Sequence, residues 1–513
     1  MPTKRRSIER NTSFFLRLDK LDGLDGLDIL DILDILEKRK KMSRLKKEII
    51  IPDVTVSDAG AEGNAIVRVE GMVVFVPFAV PGDVIDLKIF KKKKNYAEGR
   101  VIALKQPSPL RVEARCKHFG VCGGCKWQTM SYEAQLRYKQ QQVRDNLERL
   151  GHIDTSQMRA ICGSDRIFEY RNKLEFTFSS KRWLAVGEER MEGDPGAVGF
   201  HVPQVFDKVL PIEYCHLQRE PSNAIRTSLR DYAIEHKLPF YDIRNHQGYM
   251  RNVVIRNSSN GGLMVLVIVA EDRPEWLMPM MEYLKVTFPE ITSLMYIING
   301  KMNDSYSDLE PQLYSGQGYI IEQMPRYGGG EPLQFRINPK SFYQTNSEQA
   351  YKLYSYVAEF AELQGDETVY DLYTGTGTIA QFVAGLCDRV VGIEYVEEAI
   401  ADARENAEVN GISNCTFYAG DMAKVLTEEF VSVNGRPEVV ITDPPRAGMH
   451  EKVVEQLLRM EPRRIVYVSC NPATQARDLA MLTEKYRVGR IQPVDMFPHT
   501  QHVENVVELR IEN

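Results

Sequence analysis

The sequence predicts a multidomain protein in which a small, OB-like β-barrel precedes a central α+β domain and a doubly wound, Rossmann-like α/β domain. Three observations lead there. From about residue 47 to 105, short β-rich runs follow one another between Gly and Pro turns. Over 170–325 strand and helix patterns mix. From about 330, short apolar runs alternate with helical stretches, the pattern of a parallel sheet covered on both faces.

A chain of 513 residues is too long for one ordinary domain. Its 43% apolar content is that of a globular protein, and it has neither an apolar run long enough to span a bilayer nor a cleavable export leader. The cytoplasm is the expected location, with no membrane partner. A formal net charge of −6 argues against non-specific coating of nucleic acid but leaves room for a local basic groove. The eight cysteines are expected to be reduced there and to serve metal binding or catalysis.

Residues 1–46 read as a low-complexity leader. Leu21-Asp22-Gly23-Leu24-Asp25-Gly26 continues into repeated Asp-Ile-Leu, a three-residue period that suits neither helix nor strand. Met42, followed by a basic segment and Ile49-Ile50-Ile51, is the alternative start of translation.

The barrel, 47–105, contains Ala65-Ile66-Val67-Arg68-Val69 and Met72-Val73-Val74-Phe75-Val76 as strands. Lys88, Lys91-Lys92-Lys93-Lys94 and Tyr96 form a basic cluster. A lysine run alone reads as a solvated hairpin or a protected edge strand, whereas on a barrel of nucleic-acid-binding type it equally offers phosphate contacts. The central domain, 106–330, opens after Gln106-Pro107-Ser108-Pro109. Residues 131–150 have the period of an amphipathic helix, with Tyr132, Leu136, Val143, Leu147 and Leu150 near one face. Asn252-Val253-Val254-Ile255 and the run 263–269 read as strands. In the last domain, 331–513, the buried-strand runs are 369–372, 390–393, 439–442 and 465–468.

Four constellations carry chemistry. Asp371-Leu372-Tyr373-Thr374-Gly375-Thr376-Gly377-Thr378 follows the first of those strands, where glycines let backbone approach a ligand. Glu394 ends the next strand, 19 residues after Gly375, placed to accept hydrogen bonds from ribose hydroxyls. A nicotinamide cofactor is disfavoured, since the third glycine of the dinucleotide fingerprint is missing. Asp443-Pro444-Pro445-Arg446 ends in arginine instead of the aromatic residue found in methyltransferases of exocyclic amines. Cys470, in Ser469-Cys470-Asn471-Pro472, lies at a strand's carboxyl end, where ligands of open α/β sheets bind, and some nearby group is expected to favour its thiolate. Glu504 offers a carboxylate base. A thiol nucleophile, a carboxylate and a nucleotide-type cofactor loop together point to methyl transfer onto an unactivated pyrimidine carbon.

The fourth constellation is Cys116, Cys122 and Cys125, spaced C-x5-C-x2-C, with Cys215 as a distant fourth thiolate. Three clustered ligands plus one remote one favour an iron-sulfur cluster over zinc, whose sites usually come as two close pairs. His118 and His216 are rival ligands. Cys162, Cys387 and Cys415 read as packing residues.

Over about 47–513 these motifs resemble the RNA uracil-C5 methyltransferase family, in particular the 23S ribosomal RNA members with a TRAM barrel and a 4Fe-4S cluster. The resemblance implies an enzyme acting on RNA, with Cys470 as nucleophile and Glu504 as base; a monomer is expected. It implies that Gln344, Tyr373, Glu394 and Asp443 contact S-adenosyl-L-methionine or the reacting base, with Asp421 at the adenine end, and that Cys116, Cys122, Cys125 and Cys215 hold the cluster. Thr378 departs from the family, where some relatives have asparagine. Tyr170-Arg171-Asn172-Lys173 and the barrel lysines are the candidates for holding RNA. Rival readings are a tRNA uracil-5-methyltransferase, a methylthiotransferase, whose compact three-cysteine motif is lacking, and a non-catalytic RNA-binding scaffold.

Overall fold

The computed structural model describes residues 49–512 apart from 61 and 186, so the leader expected over 1–46 lies outside the described residues. Strands β1 (Ile49–Thr55), β2 (Asp58–Ala59), β3 (Ala65–Val69), β4 (Met72–Val76), β5 (Val84–Lys92) and β6 (Tyr96–Gln106) form one sheet in the order β1-β5-β6-β4-β3-β2. Along β5, Ile85, Leu87 and Ile89 turn inward while Phe90, Lys91 and Lys92 are exposed, the alternation of a half-buried strand. Gly99 lets β6 close on β5, since a Cβ there would lie 2.7 Å from Leu87 Cδ1.

After helix α1 (Tyr132–Leu150) comes a seven-stranded mixed sheet. It comprises β7 (Lys173–Ser179), β8 (Ala197–Val202), β9 (Val205–Pro211), β10 (Met250–Asn257), β11 (Leu263–Val269), β12 (Ser293–Ile298) and β13 (Gln312–Gly316), in the order β13-β12-β11-β10-β7-β8-β9. Helices α2 (Ser222–Glu235) and α3 (Pro274–Thr287) cover one face, packing Leu229, Met280 and Leu284 on Phe176, Val253 and Val267. A hairpin, β14 (Ile320–Met324) and β15 (Leu333–Ile337), leads into the last domain.

That domain contains α4 (Ser347–Ala361), β16 (Thr368–Leu372), α5 (Thr378–Val383), β17 (Arg389–Glu394), α6 (Glu397–Val409), β18 (Cys415–Ala419), α7 (Met422–Val425) and α8 (Glu428–Asn434). It continues with β19 (Val439–Thr442), α9 (Glu451–Met460), β20 (Arg464–Ser469), α10 (Pro472–Leu482), β21 (Tyr486–Val494) and β22 (Glu504–Ile511). The sheet order is β18-β17-β16-β19-β20-β22-β21. Strands β16 to β20 are parallel, and β22 runs antiparallel to both β20 and β21. One face packs on α4, α5 and α6, the other on α9, α10 and α1. Among the described residues, no helix is long and apolar enough to cross a membrane.

Helix α1 departs from its expected face. Leu150 is exposed, while the buried residues are Ala134, Gln135, Lys139, Val143 and Leu147. The helix docks on α10, and its buried Lys139 and half-buried Tyr132 meet a single partner, Asp495, in the segment after β21. Lys139 Nζ lies 2.5 Å from Asp495 Oδ1 with both side chains fully buried, and Tyr132 OH donates to Asp495 Oδ2 at 2.9 Å. Removing one member of such a pair strands the other charge. Lys139→Met is therefore expected to cost about 3–5 kcal/mol, read as a lowered midpoint in thermal or urea unfolding.

Candidate active site

Strand order reverses between β16 and β19, opening a crevice at the carboxyl edge of the sheet where ligands of such folds bind. All the residues expected to meet the cofactor or base, apart from Gln344, stand on loops or strand ends at that edge. After β16 the chain turns through Tyr373 (φ 63°), Gly375 (φ 56°) and Gly377 (φ 74°). Gly377 is required twice over, because a Cβ there would also lie 2.9 Å from that of Ala403. Asp371 Oδ2 ties the turn by accepting from Thr374 Oγ1 at 2.5 Å and the Ala380 amide at 3.0 Å. Glu394 accepts from the amides of Gly375 (3.2 Å) and Val396 (3.0 Å), leaving carboxylate lone pairs free to face a ligand.

Gln344 lies between β15 and α4. Its carbonyl accepts from Asn172 Nδ2 at 2.9 Å, while its side-chain amide makes no hydrogen bond among the described residues. Asp421 is already engaged in holding the fold, since it caps α7 by accepting from the Ala423 amide and pairs with Lys424 at 3.3 Å. Thr378 Oγ1 sits 3.3 Å from Tyr354 OH.

Cys470 and Glu504 meet because of β22. Ser469 pairs with Asn505, so these two are the next residues along adjacent antiparallel strands at the crevice. Burial, with Asp443 beside it, pushes the Glu504 carboxyl up to about 8. Burial, then Asp371, pushes Asp443 up to about 7. Burial, then Glu504 and Asp443, pushes the Cys470 thiol up to about 11. The thiol is thus not pre-ionised as its sequence context led one to expect, because burial, with Glu504 and Asp443 adding to it, outweighs the one opposing charge. That charge is Arg446, which pulls both Cys470 and Glu504 downward, and whose guanidinium makes no hydrogen bond or ion pair among the described residues. In the sequence, Arg446 stands out only as the non-aromatic end of its motif, and nothing there signals this electrostatic role. His502 is also held neutral, lowered to about 4 by burial and by Arg446, Lys139 and Arg171.

Cys116, Cys122, Cys125 and Cys215 line one cavity of about 380 Å³, together with His118, His216 and Arg171. Burial and mutual repulsion raise Cys125 to about 12 and Cys215 to about 11, so as free thiols they stay protonated until a cation compensates them. His118 Nε2 is engaged by the Glu213 amide at 3.0 Å, which weakens it as a rival ligand. Among the described residues no group of three Cys, His, Asp or Glu is placed to hold a single metal ion.

Two of the four residues expected to touch RNA face inward instead. Tyr170 OH donates to the Pro498 carbonyl at 3.0 Å, and Asn172 Nδ2 donates to Gln344 O and Ser347 Oγ, both at 2.9 Å. Arg171 lies over the Phe497 ring, and Lys173 is half-buried and lowered to about 8 by burial and by Arg256. Tyr170, Arg171 and Asn172 thus brace the site.

A methyltransferase-type sheet carrying a cysteine and a carboxylate at its crevice defines the class. Residues 310–511 match the model of the tRNA (uracil-5-)-methyltransferase family, and residues 51–102 match the TRAM domain. An uncharacterized RNA methyltransferase from Bacteroides thetaiotaomicron is 55% identical over 457 residues, covering 88% of this chain and 99% of that protein. One from Chlorobaculum tepidum is 39% identical over 473 residues, covering 90% and 96%. The solved tRNA (uracil-54, C5)-methyltransferase of Pyrococcus abyssi, in complex with S-adenosyl-L-homocysteine, superposes with a TM-score of 0.68 at 28% identity, covering 90% of this chain and 100% of that one. The chain belongs to this uracil-5-methyltransferase family of S-adenosylmethionine-dependent RNA enzymes.

The raised Glu504 has a thermodynamic signature. Its ordinary value is 4.5 and its folded value about 8, so the folded state holds the extra proton between them and stability falls as pH rises through that window. Glu504→Gln cannot titrate, so its melting temperature should rise relative to wild type between about pH 5 and pH 8. A difference that does not change with pH would contradict the burial argument.

Proposed function

We propose that the enzyme methylates C5 of a specific uridine in 23S ribosomal RNA, giving 5-methyluridine, with Cys470 as nucleophile and Glu504 as base. The observation that supports this most is their juxtaposition at the ends of β20 and β22, beside Asp443 and Arg446. A scaffold that only bound RNA would need neither a thiol nor a strongly perturbed carboxyl there.

Uracil C5 is a poor nucleophile. Cys470 therefore gives up its thiol proton to solvent and adds through Sγ as the thiolate to C6, and the electrons of the C5–C6 double bond move toward O4 as an enolate. S-adenosyl-L-methionine supplies an electrophilic methyl group on a sulfonium. C5 would take that methyl, with S-adenosyl-L-homocysteine as the neutral leaving group, Glu504 removes the C5 proton, and the C5–C6 double bond re-forms as the C6–S bond breaks to release the thiolate. Arg446 lowers the cost of the anionic species at both residues. Gln344, Tyr373, Glu394 and Asp443 line the cofactor side, and Asp421 shapes its adenine end. The uridine must be unstacked to reach the crevice, at a cost of a few kcal/mol that is least in a loop.

Cys116, Cys122, Cys125 and Cys215, which line one cavity, would hold a 4Fe-4S cluster with a structural or RNA-positioning role. Each thiolate of such a cluster binds its own iron, so the sulfurs need not converge on one point. Anaerobically prepared protein should be brown with close to four irons per chain. Stoichiometric zinc without iron would overturn the assignment.

The competing substrate is tRNA. The Pyrococcus abyssi enzyme acts on tRNA and spans 90% of this chain, so general architecture does not divide the two. Assigning ribosomal RNA therefore rests on the four cysteines and not on the barrel, and efficient methylation of a tRNA transcript with large-subunit fragments untouched would reverse it. For the chemistry, Cys470→Ala should form no covalent adduct with any RNA, while Glu504→Gln should accumulate the methylated adduct on denaturing gels. An adduct with Cys470→Ala would disprove the nucleophile.

A further inference from the structure

Glu504 is delivered by a loop that its own domain holds only in part. Of residues 495–503, the carbonyls of Asp495 and Met496 accept from Gln349 Nε2 (2.9 Å) and Asn346 Nδ2 (3.0 Å) of the α4 region. The next three carbonyls are held largely from outside. Phe497 O accepts from Lys139 Nζ at 3.0 Å and Pro498 O from Tyr170 OH at 3.0 Å. His499 O accepts from the amides of both Lys126 (2.8 Å) and Trp127 (3.0 Å), the two residues that follow Cys125. The His499 amide donates to Gln135 Oε1 at 2.8 Å, its Nδ1 lies 3.2 Å from Gln135 Nε2, and its ring lies 4.3 Å from that of Phe168.

Gln135 joins the parts. Its Nε2 also donates to the carbonyls of Trp127 (3.0 Å) and Met130 (2.9 Å), so one buried side chain links α1, the cysteine segment and the catalytic loop. Trp127 Nε1 reaches on to Gly63 O of the barrel at 3.1 Å. His499 itself has φ 66°, a left-handed conformation that persists in a non-glycine residue only where its surroundings over-determine it. Cys470, by contrast, sits at the junction of β20 and α10, inside the catalytic domain's own frame.

We propose that the cysteine segment and α1 form a clamp that positions Glu504, so that removal of the C5 proton depends on these contacts with Gln135, Lys126 and Trp127 while cofactor binding and addition of Cys470 do not. His499 and Gln135 are positioning residues and touch no reacting atom. The inference rests on the uridine-C5 reading, in which addition and proton removal are separate steps.

The test uses the intact holoprotein in two variants at opposite ends of one contact. Gln135→Leu removes the link, and His499→Gly keeps the positive φ and the carbonyl while deleting the ring. For each, four quantities are measured: affinity for S-adenosyl-L-homocysteine, rate of adduct formation on 5-fluorouridine RNA, steady-state fraction of methylated adduct on uridine RNA, and hydrogen exchange. Affinity and adduct formation should stay within about two-fold of wild type, while turnover falls by about 10- to 100-fold, the scale set by an ångström-sized misplacement of a catalytic group. Methylated adduct should accumulate, and the amides of 497 and 499–503 should exchange faster while those of β16 and β17 do not. Equal losses at every step, or an unchanged partition between adduct and product, would overturn the clamp. Failure of the wild type itself to trap 5-fluorouridine RNA would overturn the uridine reading instead.

Discussion

The direction of β22 is the constraint on which the site depends. Parallel strands end at the crevice only with outgoing residues, and β20 contributes Cys470 in that way. Because β22 runs against β20, the residue entering it arrives at the same edge, and this is Glu504. The register is held by charge as well as by side-chain alternation. Glu508, almost fully buried, pairs with Arg464 at 3.2 Å and with Arg490 and Arg510 at 2.7 Å each. A one-residue slip would turn Glu508 to the other face, leave these guanidinium groups to share Glu362 without it and carry Glu504 away from the thiol.

Electrostatics explain how so acidic a pocket is tolerated. Asp371 and Asp443 are pushed up to about 7 and Glu504 to about 8, burial being the largest cause in each. Neighbouring carboxyls this close do not all ionise, and in the free protein much of the cluster stays protonated near neutral pH. In the proposed mechanism a cationic ligand beside Asp443 would favour the ionised forms, linking cofactor binding to the readiness of Glu504 as base through one patch of charge. Arg446 supplies the fixed part of that compensation and stays exposed enough to meet a substrate anion as well.

Much of this was legible in the sequence. The alternation after residue 330 marks the parallel sheet because strands buried on both faces need unbroken apolar runs. Cys470 could be picked out by the strand before it and the Asn-Pro after it. The cysteine spacing predicts a shared site, and the four do line one cavity. What sequence could not show is partnership across long separations. Lys139 and Gln135 look like solvent-facing helix positions until Asp495 and His499, more than 350 residues away, are brought against them. Tyr170 and Asn172 look like RNA contacts for the same reason, since polar residues near a basic stretch say nothing of the loops they brace. Arg446 was visible within its motif, but its effect on Cys470 and Glu504 appears only once three separate strand ends are adjacent.

The central claim is that the methyl group replaces the hydrogen on C5 of uridine, by way of addition at C6. RNA carrying tritium at C5 of its uridines tests this directly when incubated with the enzyme and unlabelled S-adenosyl-L-methionine. The expected result is release of tritium to water in step with methyl incorporation, one for one, because Glu504 must take the C5 hydron before Cys470 departs. Methyl incorporation without tritium release would place the methyl on a nitrogen or a ribose oxygen and contradict the roles assigned to both residues.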